Sequence, residues 1–151
     1  MKLLTFIFFC FTFSLSFCND SIRKELDIAW KNEKYADKFI AKLEANLSKD
    51  HQGYLAVAYM MKSNHALMPW TKLKYFYKGK HLLEKSIKEE PERVELRFFR
   101  YEIQIKIPKG LKYNNILENK KFMLDYIQKE QNKMKDVSLY QKINQLNLAK
   151  G

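Results

Sequence analysis

Three histidines, His51, His65 and His81, are the side chains best suited to acid–base or metal chemistry. They stand fourteen and sixteen residues apart, with no cysteine nearby. No two share a helical turn, so the i, i+4 spacing of a helical metal site is missing and no metal is expected. Glycine-rich phosphate loops, nucleophile elbows and Cys–His arrangements do not occur. The carboxylates of Glu89, Glu90 and Glu92 flank Pro91 at an element boundary, where they favour a helix N-terminus rather than general-acid work. These residues lead to the expectation of a protein that is not an enzyme and holds no cofactor. One constellation remains. Arg93, Arg97, Arg100 and Gln104 fall at i, i+4, i+7 and i+11, a single polar ridge if the segment is helical.

That ridge matters because the residues around it are apolar. Leu96, Phe99, Ile103 and Ile107 make one helical stripe, and Phe98, Tyr101 and Ile105 make another. Tyr101, Ile103, Ile105 and Ile107 also alternate with polar residues as a strand would. Sixteen residues without a turn signal are long for a strand, so residues 92–107 read as a helix sandwiched between neighbours. Guanidiniums on such a helix need a carboxylate, solvent or a ligand, because an unpaired buried charge costs several kcal/mol. Internal pairing with Glu95, Glu102 or a carboxylate of the preceding hairpin is one outcome. The other is a peptide-binding face lined by Arg97, Arg100 and Gln104, joined by Asn64, His65 and Lys72 from an adjacent turn.

The elements that would position these groups follow a 3.6-residue apolar period. Leu26, Ala29, Trp30, Ala36, Phe39, Ile40, Leu43 and Leu47 predict one long helix or two joined ones over 21–47, capped by Asp20 or Ser21. Asp50 opens the next, in which Tyr54 to Met61 carry no charge and must be buried on most sides. Pro69 ends it, and Leu73, Phe76, Tyr77, Leu83 and Ile87 mark a helix over about 70–89. Pro91 suits the first turn of the following one. After a loop through Pro108, Gly110 and Asn114-Asn115, Asn115 and Glu118 predict a capping box. Asp136 caps a last helix carrying Val137, Tyr140, Ile143 and Leu146. The expectation is all-α, with about six helices stacked as antiparallel hairpins.

The chain is 151 residues long with a net charge of +11. Met1 and Lys2 precede an uncharged run from Leu3 to Phe13, then Ser14 to Cys18 lead into Asn19-Asp20. That order predicts a signal peptide over 1–18, cleaved after Cys18, with a single domain over 19–151 in the periplasm or outside the cell. The apolar run falls short of the ~20 residues of a spanning helix. Leu15-Ser16-Phe17-Cys18 offers an alternative, in which a lipidated Cys18 tethers the protein and its charge draws it to anionic surfaces. Both cysteines, Cys10 and Cys18, lie in the leader, so the mature domain has no disulfide. Only four of the 28 basic residues are arginine, and the lysines are spread along the chain beside Asn, Ile, Phe and Tyr. Nucleic acid, read chiefly by arginine forks, is therefore not the expected partner.

Gly79, Leu83, Ser86, Ile87 and Pro91 occupy the spacings of the second half of a tetratricopeptide repeat. Met68-Pro69-Trp70-Thr71-Lys72, Tyr75-Phe76-Tyr77-Lys78-Gly79, Glu95-Leu96-Arg97-Phe98-Phe99-Arg100 and Ile103-Gln104 extend the likeness over about 50–127. This stretch resembles an uncharacterised family of small exported bacterial proteins with tetratricopeptide-like helices. It departs at Pro108–Tyr113, where the family carries an aromatic-Leu-Gly-Tyr turn. The resemblance implies a fragment of a helical solenoid and export, and no chemistry. The combined expectation is a non-enzymatic envelope protein that contacts another protein or a peptide bearing acidic groups.

Overall fold

The computed structural model describes residues 20–130 and 136–146. The expected leader over 1–18, including Cys18, lies outside the described residues. Within them the chain is helical, with no strand. In chain order the elements are α1 (20–31), α2 (Glu33–Ala45), α3 (Lys49–His65), α4 (Pro69–Glu89), α5 (Val94–Gln104), a 3-10 turn (Lys109–Leu111), α6 (Ile116–Glu130) and α7 (Val137–Gln145). The all-α expectation is met, and the pattern over 21–47 resolves into two helices. Asn32 breaks it by capping α2, its side chain accepting from the Tyr35 N–H at 3.1 Å. Asp20 and Ser21 are both already helical, so neither is the cap expected of it.

Each helix buries the face its period dictates. Ala36, Phe39, Ile40 and Leu43 at i, i+3, i+4 and i+7 are the buried residues of α2. Ser48 caps α3 through the His51 N–H, one residue earlier than Asp50 suggests. All eight residues from Tyr54 to Met61 are buried, because α2, α4 and α5 pack around α3. The most extensive of these contacts joins α3 to α4. Three linking residues, 66–68, separate the two helices, so α4 folds back along α3.

The prolines need two corrections. Pro69 is the first residue of α4 rather than the end of α3, which stops at His65; its missing N–H costs nothing there. Pro91 sits in the turn before α5 and not in that helix's first turn. The expected helix over 92–107 is confirmed as α5 but closes at Gln104. Pro108 disfavours helical backbone at the residue before it, so Ile105 and Ile107 fall in the turn. The chain then passes through Lys112 in the left-handed region, φ 46° and ψ 46°. That reversal brings Tyr113 into the core. Asn115 precedes α6 and donates its side-chain amide to Glu118 at 3.2 Å. Asp136 caps α7 as expected, accepting from the Leu139 N–H at 3.0 Å.

Gly79 is where α3 and α4 approach most demandingly. A Cβ there would lie 2.5 Å from the Ala56 carbonyl oxygen and 2.6 Å from Met60 Cγ. At Gly53 the nearest atom is the Leu96 Cδ2 tip, at 2.4 Å, which can rotate away. Alanine favours helix by ~1 kcal/mol over glycine. Gly53→Ala is therefore expected to be close to neutral. Gly79→Ala must push two helix backbones apart and should lose about 1–3 kcal/mol. Urea unfolding of the two variants side by side checks the contrast.

Candidate functional site

The arginine ridge is present and most of its donors are engaged internally; among the described residues the buried Arg97 Nε and Gln104 Nε2 find no hydrogen-bond partner. Arg100 is only 3% exposed. Its Nε and Nη2 donate to Asn119 Oδ1 at 2.8 and 2.7 Å, and Nη1 reaches Glu84 at 3.1 Å. Nη2 also reaches Glu118 at 3.1 Å. Arg97 donates to Glu118 at 2.5 Å and lies over the Phe122 ring. Asn119 donates on to Gln104 Oε1 at 2.8 Å, and the Tyr113 hydroxyl donates to Glu84 at 2.5 Å. Burial would raise the Glu118 carboxyl. The Arg100 charge and hydrogen bonds from Asn115 and Arg100 outweigh it and hold the group below its usual range. Burial and Glu84 together push the Tyr113 hydroxyl up.

Arg97, Arg100 and Gln104 therefore do not line an open concave face. The physical reason is that α6 packs along α5 and carries Glu118, Asn119 and Phe122 to the ridge. The expected pairing with the preceding hairpin is present through Glu84 on α4, and that with Glu95 through Arg93 alone.

Glu95 anchors a second cluster, buried at 3% exposure. Its Oε1 accepts from Arg23 Nε at 2.5 Å and from the Tyr54 hydroxyl at 2.6 Å, and Oε2 accepts from Arg93 at 3.3 Å. Arg23 forks onto Asp136 at 2.9 and 2.6 Å. Burial alone would make Arg23 easier to deprotonate; Asp136 and Glu95 reverse this and raise it. Burial and then Glu95 push the Tyr54 hydroxyl up as well. This cluster joins α1, α3, α5 and α7.

The space beside Arg23 and Glu95 is only about 20 Å3, too small for more than a water. A larger opening lies elsewhere. Between the C-terminal end of α3, the start of α4 and the turn after α5 lies a groove of about 500 Å3. Leu73, Phe76, Ile107, Pro108 and Leu111 form its apolar walls, with Lys72 and Lys106 among its polar lining. That volume is within the ~300–1,000 Å3 common for ligand sites. Beside it the α3–α4 link exposes Leu67 at 91% and Met68 at 50%, and Trp70 is 69% exposed. Apolar residues so placed mark a contact surface when they cluster.

The sequence-derived residues divide between these places. Asn64 and Lys72 line the groove, while His65, the last residue of α3, is outside its lining. Arg97, Arg100 and Gln104 belong to the buried network. His51 Nδ1 donates to the Asn46 carbonyl at 3.0 Å, and His81 is exposed on α4. Among the described residues no group of three or more His, Cys, Asp or Glu side chains could hold a metal ion.

Sequence reasoning missed Leu73, Phe76, Lys106, Ile107 and Leu111 as groove residues. It also read the lysines as spread along the chain and singled out no stretch of them. Every residue lining the groove comes from two stretches that contain no Asp or Glu, 51–83 and 103–117. Those stretches supply lysines at 62, 72, 74, 78, 80, 106, 109 and 112. Lys72, Lys74, Lys109 and Lys112 are exposed and pair with no carboxylate among the described residues. The two acid-free runs were the available signal. No protein-family model, curated protein or solved structure matches the chain.

Proposed function

We propose that the chain is an exported, non-enzymatic protein of the cell envelope that contacts another protein through the groove between α3, α4 and the turn after α5. The observation that carries this reading is an apolar groove whose two charged lining residues, Lys72 and Lys106, are both lysines. It calls for a partner segment with apolar anchors and carboxylates, which charge complementarity would steer and orient. The basic start, the uncharged run from Leu3 to Phe13 and the polar Asn19-Asp20 support export with cleavage after Cys18. Among the described residues no helix is long and apolar enough to cross a membrane. A tetratricopeptide-like arrangement is supported by Gly79 and Ser86. Both are buried small residues on α4, Gly79 directly against α3.

Two surface substitutions test the site. Leu73 is 44% exposed, so Leu73→Asp should leave the melting temperature nearly unchanged, as exposed changes usually do. A photocrosslinking residue at position 70 should give one envelope adduct, and the same residue at exposed Lys88 should not. Leu73→Asp should reduce the position-70 adduct at least tenfold. Equal adducts from 70 and 88, or an adduct indifferent to Leu73→Asp, would remove the groove from consideration.

A further inference from the structure

We infer that the partner segment enters the groove as an acidic amphipathic α-helix and not as an extended strand. This rests on the groove being the binding site. The first argument is the backbone. An extended guest must find partners for its N–H and C=O groups, usually along a sheet edge. The walls here are the end of α3, the start of α4 and a short turn, and with no strand among the described residues the groove offers such a guest no sheet edge. A helical guest satisfies its backbone internally and needs only an apolar face.

The second argument is the shape of the shoulder. Trp70, Leu73 and Tyr77 lie at i, i+3 and i+7 on α4 and are all exposed. They form an apolar strip along about 10 Å of helix, two turns. Leu73 belongs both to this strip and to the groove wall. A second helix laid along α4 would cover the strip and place one or two large side chains in the groove, the ridge-and-groove packing helices prefer. The third argument is charge. Lys72 and Lys106 are the charged lining residues, Lys106 also meeting Glu102 at 3.5 Å; exposed Lys109 and Lys112 flank lining residues in the chain, and no lining residue is acidic. A guest helix with carboxylates flanking its apolar stripe complements that field. One carrying lysines is repelled.

The groove offers its own plug for a test. A Cβ at Gly110, a lining residue, would meet nothing within 4 Å, and its φ is not in the left-handed region. Gly110→Phe should therefore leave the fold undisturbed while setting a bulky ring at the groove's rim. A random linear 20-residue peptide library would be selected on the purified protein and counter-selected on Gly110→Phe. Recovered peptides are expected to be acidic, with large apolar residues at i, i+3 or i+4, and i+7. Synthetic copies should bind Gly110→Phe at least tenfold more weakly. A mid-peptide proline should cost a further tenfold, and salt should weaken binding.

Recovered peptides that alternate apolar and polar residues and tolerate proline would overturn the helical guest while leaving the groove reading intact. Failure of any peptide to distinguish the protein from Gly110→Phe would overturn both. Capture by phosphatidylglycerol vesicles, lost on Trp70→Ser but with no peptide selected, would overturn both in favour of an anionic membrane surface.

Discussion

Glu95→Ala is expected to lower folding stability by about 3–5 kcal/mol, the range for deleting one partner of a buried ion pair. Glu95 lies on α5 with its side chain 4% exposed, and it accepts from Arg23, Tyr54 and Arg93. Without it the Tyr54 hydroxyl, on a completely buried residue, loses its acceptor. Arg23 keeps Asp136 but its Nε faces a cavity. The space beside Arg23 and Glu95 is about 20 Å3, room for a water that could replace only part of these bonds. Glu95→Gln should recover part of the loss, since an amide oxygen still accepts from Tyr54. As a control, Asp37→Ala breaks the exposed pair with Lys62 and should cost no more than about 1 kcal/mol. Urea denaturation of the three variants orders them. A loss under 1 kcal/mol for Glu95→Ala would show that the cluster is no better than hydrated side chains.

Arg100→Met should cost less, about 1–3 kcal/mol, the penalty for leaving a buried acceptor unsatisfied. Asn119 is fully buried and cannot replace two bonds from Arg100. Glu84 and Glu118, by contrast, are 39% and 53% exposed at the side chain and regain water. A second signature comes with acid. Glu118 is held below the usual carboxylate range in the folded protein, Arg100 being the largest cause in that direction. A carboxyl lowered on folding contributes stability that is complete above the unfolded value and disappears as pH falls through the folded one. Arg100→Met should therefore lose stability at neutral pH and show a shallower decline below about pH 4.5. Peptides selected on the groove should bind the variant as they bind the parent, which separates the ridge from the binding surface.

What could be read from the chain was whatever depends on near neighbours. The stripe at 36, 39, 40 and 43, the uncharged run 54–61 and the cap at Asp136 are each decided within a turn or two of helix. Pro69 and Pro91 were placed on the wrong sides of their boundaries, because proline fits the first turn of a helix and the turn before it almost equally well. The ion clusters were beyond reach for a different reason. Arg100 meets Glu84 across 16 residues, and Arg23 meets Glu95 across 72 and Asp136 across 113. Nothing in local spacing selects one carboxylate from the others. The groove was hidden because its two walls are far apart in the chain, yet the absence of acid from both was visible in the letters. Reading where carboxylates are missing would have located the surface that reading where arginines recur did not.

The fork between Arg23 and Asp136 also sets an order of events during synthesis. A chain emerging from the ribosome presents Arg23 early, with neither of its carboxylates available. Glu95 arrives 72 residues later, and Asp136 later still. Until Glu95 is made, α1 has an unmatched cation to keep in water. A product halting before residue 136 would keep only the Glu95 half of this clasp and offer quality-control proteases a loosened α1.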